Sequence, residues 1–514
     1  METSRRDFIV AAARAGAAAT VARAGGPAQP RHQPNVLIVH TDQHRIDCLG
    51  AYGNSEIRTP SIDALAADGV RFTSSFCPYP VCTPSRYSFL SGQWVHQHQG
   101  WGNRCTLRPG AETFASLLRA AGYRTKAVGK MHFTPTYLDV GFDELELAEQ
   151  DGPGRFDDDY HRYLKSLDLV DRLDIQDQRA EYRSQAPPEY WENFGAQPSD
   201  LPEEHHSTTW IAERAMRTLS GWTPSGNLLM VGFIKPHHPF DPPAPWDSRY
   251  DPEKTSVLPG WIDEALPVDI DTHAGYFPHA RLTPRAMRRV TAYYYATISQ
   301  IDFQVGRMVR LLKERGFYED TLIVFTADHG DYMGFHHLLL KSNLMYEPVV
   351  KVPLIIKYPR GRSRGLTRRS LVSTVDVAPT ILRQAGLRPG RNMHGLDLDQ
   401  GRDREVLFVD GGHQLMARMR RYKLILRKPV EKSLFFDLES DPQELRNLFG
   451  EARHKQEITR LSSAIASWRD PDMPTTPYLD ENAPVIDRPN VPRRDDNHRQ
   501  EMIAYFERKM AERR

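Results

Sequence analysis

Four short groups of residues with chemically capable side chains recur along the chain: Asp42-Gln43, Lys130-Met131-His132, Lys235-Pro236-His237-His238 and Asp328-His329-Gly330. Each directly follows a short apolar, β-branched run. Two carboxylates, an amide and an imidazole on one rim would hold a divalent cation, with oxygen donors carrying most of the binding. Taken singly, an aspartate after a strand is more often a turn residue or a helix cap. Four such groups after four strands favour one shared site.

A fifth group is Cys82-Thr83-Pro84-Ser85-Arg86, running on through Tyr87 to Gly92. Proline just inside a helix start and glycine at its end set Cys82 at a helix N-terminus, where unsatisfied N–H groups favour an anion or a thiolate. The residues alone leave two readings open for Cys82, a thiolate nucleophile and a small buried hydrophobe.

The elements that must position these groups follow from periodicity. Residues 36–39, 125–128, 228–233, 322–325 and 352–356 read as strands buried on both faces. Helical stretches over 61–67, 112–121, 208–219 and 285–315 alternate with them, Gly122 and Gly316 closing two of these. The alternation implies an α/β fold with a doubly wound, mostly parallel sheet flanked by helices. Loops leaving the carboxyl ends of such strands converge on one edge. Residues 150–205 and 241–285 are rich in Pro, Asp and aromatics and read as insertions that wall a cleft. Their Trp191, Trp246, Tyr250, Trp261 and Tyr276 serve either as stacking faces for a sugar or aryl ring or as packing anchors. His96, His98 and Asn103, just past the Cys82 helix, are candidates to shape the pocket.

Short strands at 405–409, 422–426 and 434–438 make a small antiparallel C-terminal subdomain. The expected division is 1–34 signal and linker, 35–398 catalytic domain, 399–470 C-terminal subdomain, and 471–514 Pro-rich linker and helix. Met502, Phe506 and Met510 form one stripe on that last helix, a face that packs on the body.

Composition excludes several classes. Of 514 residues, 67 are Lys or Arg and 66 Asp or Glu, a net charge of +1 without a long basic block. A nucleic-acid partner is therefore not expected. Four cysteines without a Cys-x-x-Cys pair make neither a disulfide scaffold nor a zinc knuckle. Ser4-Arg5-Arg6-Asp7-Phe8-Ile9, an Ala-rich run and Ala22-Arg23-Ala24 resemble a twin-arginine export signal. No apolar run reaches the roughly 20 residues that span a bilayer. The expectation is a periplasmic or secreted bacterial protein.

Cys82-Thr83-Pro84-Ser85-Arg86 resembles the Cys-x-Pro-Ser-Arg signature of the type I sulfatases, members of the alkaline phosphatase superfamily in which the cysteine is oxidised to formylglycine. Residues 35–53, Lys130-Met131-His132, Lys235-Pro236-His237-His238-Pro239-Phe240, Asp328-His329-Gly330 and Lys341 fall in the family's order and spacing. Phe436-Asp437-Leu438, Asp441-Pro442, Glu444 and Asn447-Leu448 are similar to its C-terminal motif, so the resemblance spans about residues 35–450.

The resemblance implies hydrolysis of a small sulfated substrate (a sugar, aryl or alkyl sulfate) to alcohol and inorganic sulfate. One hydroxyl of the aldehyde hydrate at position 82 would attack sulfur, and the other would lose its proton so that sulfate leaves by elimination. Asp42, Gln43, the oxygen of modified Cys82, Asp328 and His329 would bind a divalent cation. Calcium is the first choice, with manganese or magnesium as alternatives. Arg86, with Lys130 and His132, would steady the hydrate; His237, preferred to His238, would protonate the leaving alkoxide, and Lys341 would grip the sulfate. Ser85 completes the motif read by a formylglycine-generating enzyme, the maturation partner.

Gln43 and His329 depart from the Asp and Asn of many members. Similar pairs occur in phosphonate monoester hydrolases and phosphodiesterases of the superfamily, which is the first alternative function. The second is a non-catalytic binder of sulfated ligands whose Cys82 stays a thiol. Cys48, Cys77 and Cys105 then allow at most one disulfide among them.

Overall fold

The computed structural model describes residues 33–150, 152–272, 275–278, 281–342, 344–486 and 496–512. The export signal expected in residues 1–24 lies outside them. The central sheet is built from β1 (Asn35–Thr41), β2 (Val70–Phe72), β3 (Arg124–Gly129), β4 (Glu144–Leu147), β5 (Asn227–Gly232), β6 (Thr321–Ala327), β7 (Leu354–Lys357) and β8 (Leu366–Arg368). Their order in space is β4-β3-β5-β1-β6-β7-β2-β8. Every residue of β1, β5 and β6 is buried, as their unbroken apolar runs require. Polar ends lengthen them: Asn35 donates its Nδ2 to Pro224 O at 3.1 Å and accepts from Asn227 Nδ2 at 2.7 Å, so both amides sit inside strands without an unmet partner.

The two-residue period of β1 feeds two separate cores. Leu37 and Val39 pack under the helices Pro60–Ala67, Ser207–Ser220 and Pro284–Glu314. Val36 and Ile38 face the other layer, with the helices Cys82–Ser91, Phe114–Ala120 and Val377–Gln384. The sheet is mostly parallel as expected, with one difference: β7 runs antiparallel to both its neighbours β6 and β2. The three-residue strands β2 and β8 are too short to show a period, and β4 is a four-residue edge with exposed Glu144; none of the three is legible as a strand in the sequence.

A second sheet, β9 (Leu407–Asp410), β10 (Leu415–Arg418), β11 (Tyr422–Leu426) and β12 (Leu434–Asp437), is antiparallel throughout. One face joins Phe76, Tyr346 and Val349 of the main body; the other is covered by the helix Lys455–Trp468. Partly buried Glu347 ties the two parts, accepting from Arg418 Nε at 3.0 Å and Lys423 Nζ at 3.3 Å. Residues 150–205 fold into short helices, among them Asp159–Ser166 and Arg172–Gln178. The C-terminal helix Asp496–Ala511 buries Met502 and Phe506 against Phe156, Val170 and Ile175, so its stripe packs on the body. Among the described residues no helix is long and apolar enough to cross a membrane.

The turn that frees the loop after β3 depends on Gly129. Its φ is +91°, and a Cβ there would lie 2.1 Å from Gly232 O of β5. Gly129→Ala is expected to destabilise the fold by about 2 kcal/mol or more, read as a lower urea midpoint with the slope unchanged.

Candidate active site

β3, β5, β1 and β6 are neighbours in the sheet, so the four loops that follow them leave one edge side by side. Asp42-Gln43 follows β1, Lys130 follows β3, the loop carrying His237 follows β5, and Asp328-His329 follows β6. Facing them is the helix Cys82–Ser91, buried along its whole length and closed by Gly92 at φ +62°. The N–H of Thr83 in its first turn donates to Asn103 Oδ1 at 3.2 Å.

Arg86 draws these parts together. Its Nη2 donates to Asp42 Oδ2 at 2.9 Å, its Nε to Asp328 Oδ2 at 3.0 Å, and its Nη1 to Lys130 O at 2.8 Å. Lys130 Nζ lies 2.8 Å from the same Asp42 oxygen. Ser85 Oγ donates to Asp328 O at 2.6 Å, a second link from the signature helix to the loop after β6. Burial disfavours both carboxylate charges, yet Lys130, His237 and Arg86 hold Asp42 well below the usual range; beside Asp328, burial and the Asp42 charge are outweighed by His329 and Arg86.

Cys82 Sγ lies 3.3 Å from His329 Nε2 and 3.0 Å from Lys341 Nζ. Burial and Asp42 oppose its thiolate, but Lys341, Lys130 and His329 prevail and hold the thiol well below its ordinary value. The other cysteines show the reverse. Burial pushes Cys48 and Cys77 up, and Cys105 up to about 12. All four thiols are free, so no disulfide forms among the three. Identical side chains are sorted by their surroundings alone.

The donor set fits a divalent cation. Ligand atoms of Asp42, Cys82, Asp328 and His329, all buried, lie within 4.8 Å of one another. Gln43, held at φ +61°, donates its Nε2 to Asp331, while its Oε1 is buried with no hydrogen-bond partner. A buried carbonyl oxygen left over at the edge of a carboxylate cluster is what a hard cation would satisfy. His329 Nδ1 donates to Gly330 O at 2.9 Å, which leaves Nε2 as its ligating atom.

His237 and Lys341 form the other wall. His237 Nδ1 donates to His238 O at 2.7 Å, and its Nε2 lies 3.0 Å from Lys341 Nζ. Burial and the charge of Lys341 hold His237 well below its ordinary value. Lys235, ion-paired to Asp241 and donating to Pro239 O at 2.8 Å, rivets the loop from beneath and stays outside the site. His132 meets the signature helix through its backbone: its carbonyl accepts from Thr83 Oγ1 at 3.0 Å, and its N–H donates to Glu149 at 2.9 Å.

Several supporting residues were not anticipated. Asp331 orients Gln43, Glu149 holds the His132 loop, and Gln150 accepts from Lys130 Nζ at 3.3 Å. His238 stacks on His237 with centroids 4.1 Å apart, and its Nδ1 meets Asp177 Oδ2 at 2.5 Å; Asp177 also accepts from Tyr190 and Tyr276. Asp331 stands three residues past Asp328, which is a usable signal; Asp177 lies in an insertion with none. Of the five insertion aromatics named above, Tyr276 reaches this network. Trp191 packs on Phe277, Trp246 bonds Glu203, Tyr250 bonds Ser299 and Trp261 stacks on His337, all as packing anchors. His98 bonds Ser88 in the core, and His96 lies edge-on to Trp468.

At one edge of a mostly parallel sheet the chain gathers a buried helix N-terminus and side chains that could hold a metal ion, and its family match sets it in the alkaline phosphatase superfamily. The Sulfatase family model matches residues 34–387, and the chain belongs to that family. An arylsulfatase of Clostridium perfringens is 29% identical over 474 residues, 84% of this chain and 94% of that protein. An N-acetylglucosamine-6-O-sulfatase of Bacteroides thetaiotaomicron is 23% identical over 84% of this chain and 86% of its own length. The crystal structure of a phosphonate monoester hydrolase of Agrobacterium radiobacter shares the fold, with a TM-score of 0.70 at 22% identity, covering 85% of this chain and 95% of that one.

Removing Arg86 takes from two buried carboxylates the cation they share. Arg86→Met should cost roughly 3–5 kcal/mol of stability. Because both carboxylates titrate below the ordinary 3.8 in the fold, their contribution is complete above that pH and is lost as pH falls further. The variant should therefore unfold in acid at a higher pH than the parent, followed by tryptophan fluorescence.

Proposed function

We propose that this enzyme hydrolyses a sulfate monoester to alcohol and inorganic sulfate, using a formylglycine hydrate made from Cys82 and a bound divalent cation, calcium first. The observation that carries the reading is the position of Cys82: a thiol at a buried helix N-terminus, 3.0 Å from Lys341 Nζ, inside the only grouping of metal-ligand side chains found among the described residues. Membership of the sulfatase family and the arylsulfatase and sugar-sulfatase relatives support it.

The cation would be held by Asp42, Gln43, Asp328, His329 and the oxygen at position 82, and would supply charge stabilisation on the ester oxygens, while the hydrate supplies the nucleophilic oxygen. The chain's own groups do the rest. Lys341 Nζ and Lys130 Nζ hold the anionic ester against a wall of buried donors. Arg86, fixed by both aspartates, keeps the helix terminus in line with them. His237 is fixed through Nδ1, so proton delivery to the leaving oxygen falls to Nε2. That atom faces Lys341 Nζ at 3.0 Å, and burial and the Lys341 charge disfavour a resident proton on it, so the two side chains act as one donor: Lys341 passes a proton to Nε2, from which the alkoxide takes it. Gln43 and His329 also suit a phosphonate monoester or phosphodiester hydrolase, and the fold likeness to such an enzyme gives that reading a place in the test.

Turnover of 4-nitrophenyl sulfate is expected to exceed that of phenyl phosphonate esters in kcat/KM; a large excess for the phosphorus ester would reverse the assignment. EDTA should abolish turnover, and added calcium or manganese should restore it, the better of the two naming the cation. Cys82→Ala should lower kcat by about 10³-fold or more with an unchanged melting temperature. Mass spectrometry of the tryptic peptide from Phe72 to Arg86 should find formylglycine in protein from the native host. A plain cysteine there would sink the catalytic reading.

A further inference from the structure

Beside the reacting groups lies a cavity of about 350 Å³, within the roughly 300–1,000 Å³ range of small-molecule sites. Two of its lining residues bond to Lys130 and to His238, the neighbour of His237. Gln150 accepts from Lys130 Nζ at 3.3 Å, and Gln178 Nε2 lies 3.1 Å from His238 Nδ1. Arg104 follows Asn103, whose Oδ1 accepts the N–H of Thr83, next to Cys82. Through Gln150 and Gln178 the cavity adjoins the loops that carry Lys130 and His237.

The walls are cationic. Among the described residues, Arg104, Arg155, Arg179 and Arg499 line it against one carboxylate, Glu181. Three of these guanidiniums have carboxylate partners: Arg155 with Asp174 at 2.6 Å, Arg499 with Asp157 at 2.6 Å, and Arg179 with Glu181. Two donor groups remain over. Arg155 is 1% exposed, and its Nη1 is buried with no hydrogen-bond partner. An unmet donor on a buried charged group is costly and signals an acceptor from outside the chain. The Arg104 side chain, which is exposed, makes no ion pair or hydrogen bond among the described residues.

We infer that this cavity is a second anion subsite: the alcohol half of the substrate carries another negatively charged oxygen group, a sulfate or a carboxylate, which accepts from Arg155 Nη1 and Arg104. The inference rests on the hydrolytic reading above and narrows its substrate to a doubly anionic molecule such as a polysulfated or uronic sugar. A cationic alcohol such as choline is repelled by the same wall.

The test is calorimetric binding to the full chain carrying Cys82→Ser, in calcium chloride, so that no turnover intervenes. The probes are a monosulfated hexose, the same hexose with a second sulfate, and a sulfated hexuronic acid. A second anionic group should tighten binding by about tenfold or more, and whichever of the two does so identifies the group. The gain should shrink as sodium chloride rises. It should fall to less than about threefold when Arg155→Met or Arg104→Gln is added, the second being a surface change that leaves the interior intact. Equal affinity for all three probes would overturn the inference. Hydrolysis of the same sugars by the mature enzyme is measured separately. An intact gain without any sulfate release would sink the hydrolytic reading alone, and release with no gain would sink the subsite alone.

Discussion

The geometry of this site hangs on one buried guanidinium. Arg86 is 1% exposed, and taking it and the two aspartates out of water is costly unless the charges meet at close range and each guanidinium nitrogen has a partner. The arrangement meets both conditions by spending the fork of Arg86 on three different loops, those after β1, β3 and β6. Each loop is tied at its root to a strand that cannot shift without breaking its ladder. The guanidinium thus turns the order of strands into fixed positions of side chains, and the signature helix that carries Cys82 is located by the same bonds. Lysine at this place would offer a point charge and could not hold three partners in one plane.

Charge around Cys82 is arranged so that one thiol of four behaves differently. Cys48, Cys77 and Cys105 are as buried as Cys82, and their thiols are pushed up by that burial. Cys82 has the same burial and an aspartate besides, and is nevertheless drawn down by Lys341, Lys130 and His329. Burial therefore amplifies whatever charge surrounds a group rather than deciding its state. The net charge of +1 for the whole chain carries no trace of this local field.

The central strands and the loops after them were legible because a strand buried on both faces must carry an unbroken apolar run, and because a parallel sheet sends its loops to one edge. Asp42, Lys130, His237 and Asp328 could be set together from that rule without coordinates. The remainder depends on packing that leaves no period. β7 shows the limit: its apolar run announces a strand, but nothing in residues 354–357 states its direction. Asp177 and Gln150 reach the site because irregular segments fold back over it, and Trp191 or Trp261 look as suited to a sugar as Tyr276 until their neighbours are seen. Composition identifies an insertion; only contacts tell which of its residues face inward.

Closure of the signature helix also sets an order in time. All ten residues from Cys82 to Ser91 are buried, and Cys82 itself is 1% exposed. Another macromolecule cannot reach that depth. Any change another protein makes to this side chain belongs to the interval before the helix is sealed between the sheet and its neighbours. Folding is then a clock as well as a construction, and the rate at which β1, β3 and β6 close on Arg86 fixes how long the cysteine can be reached.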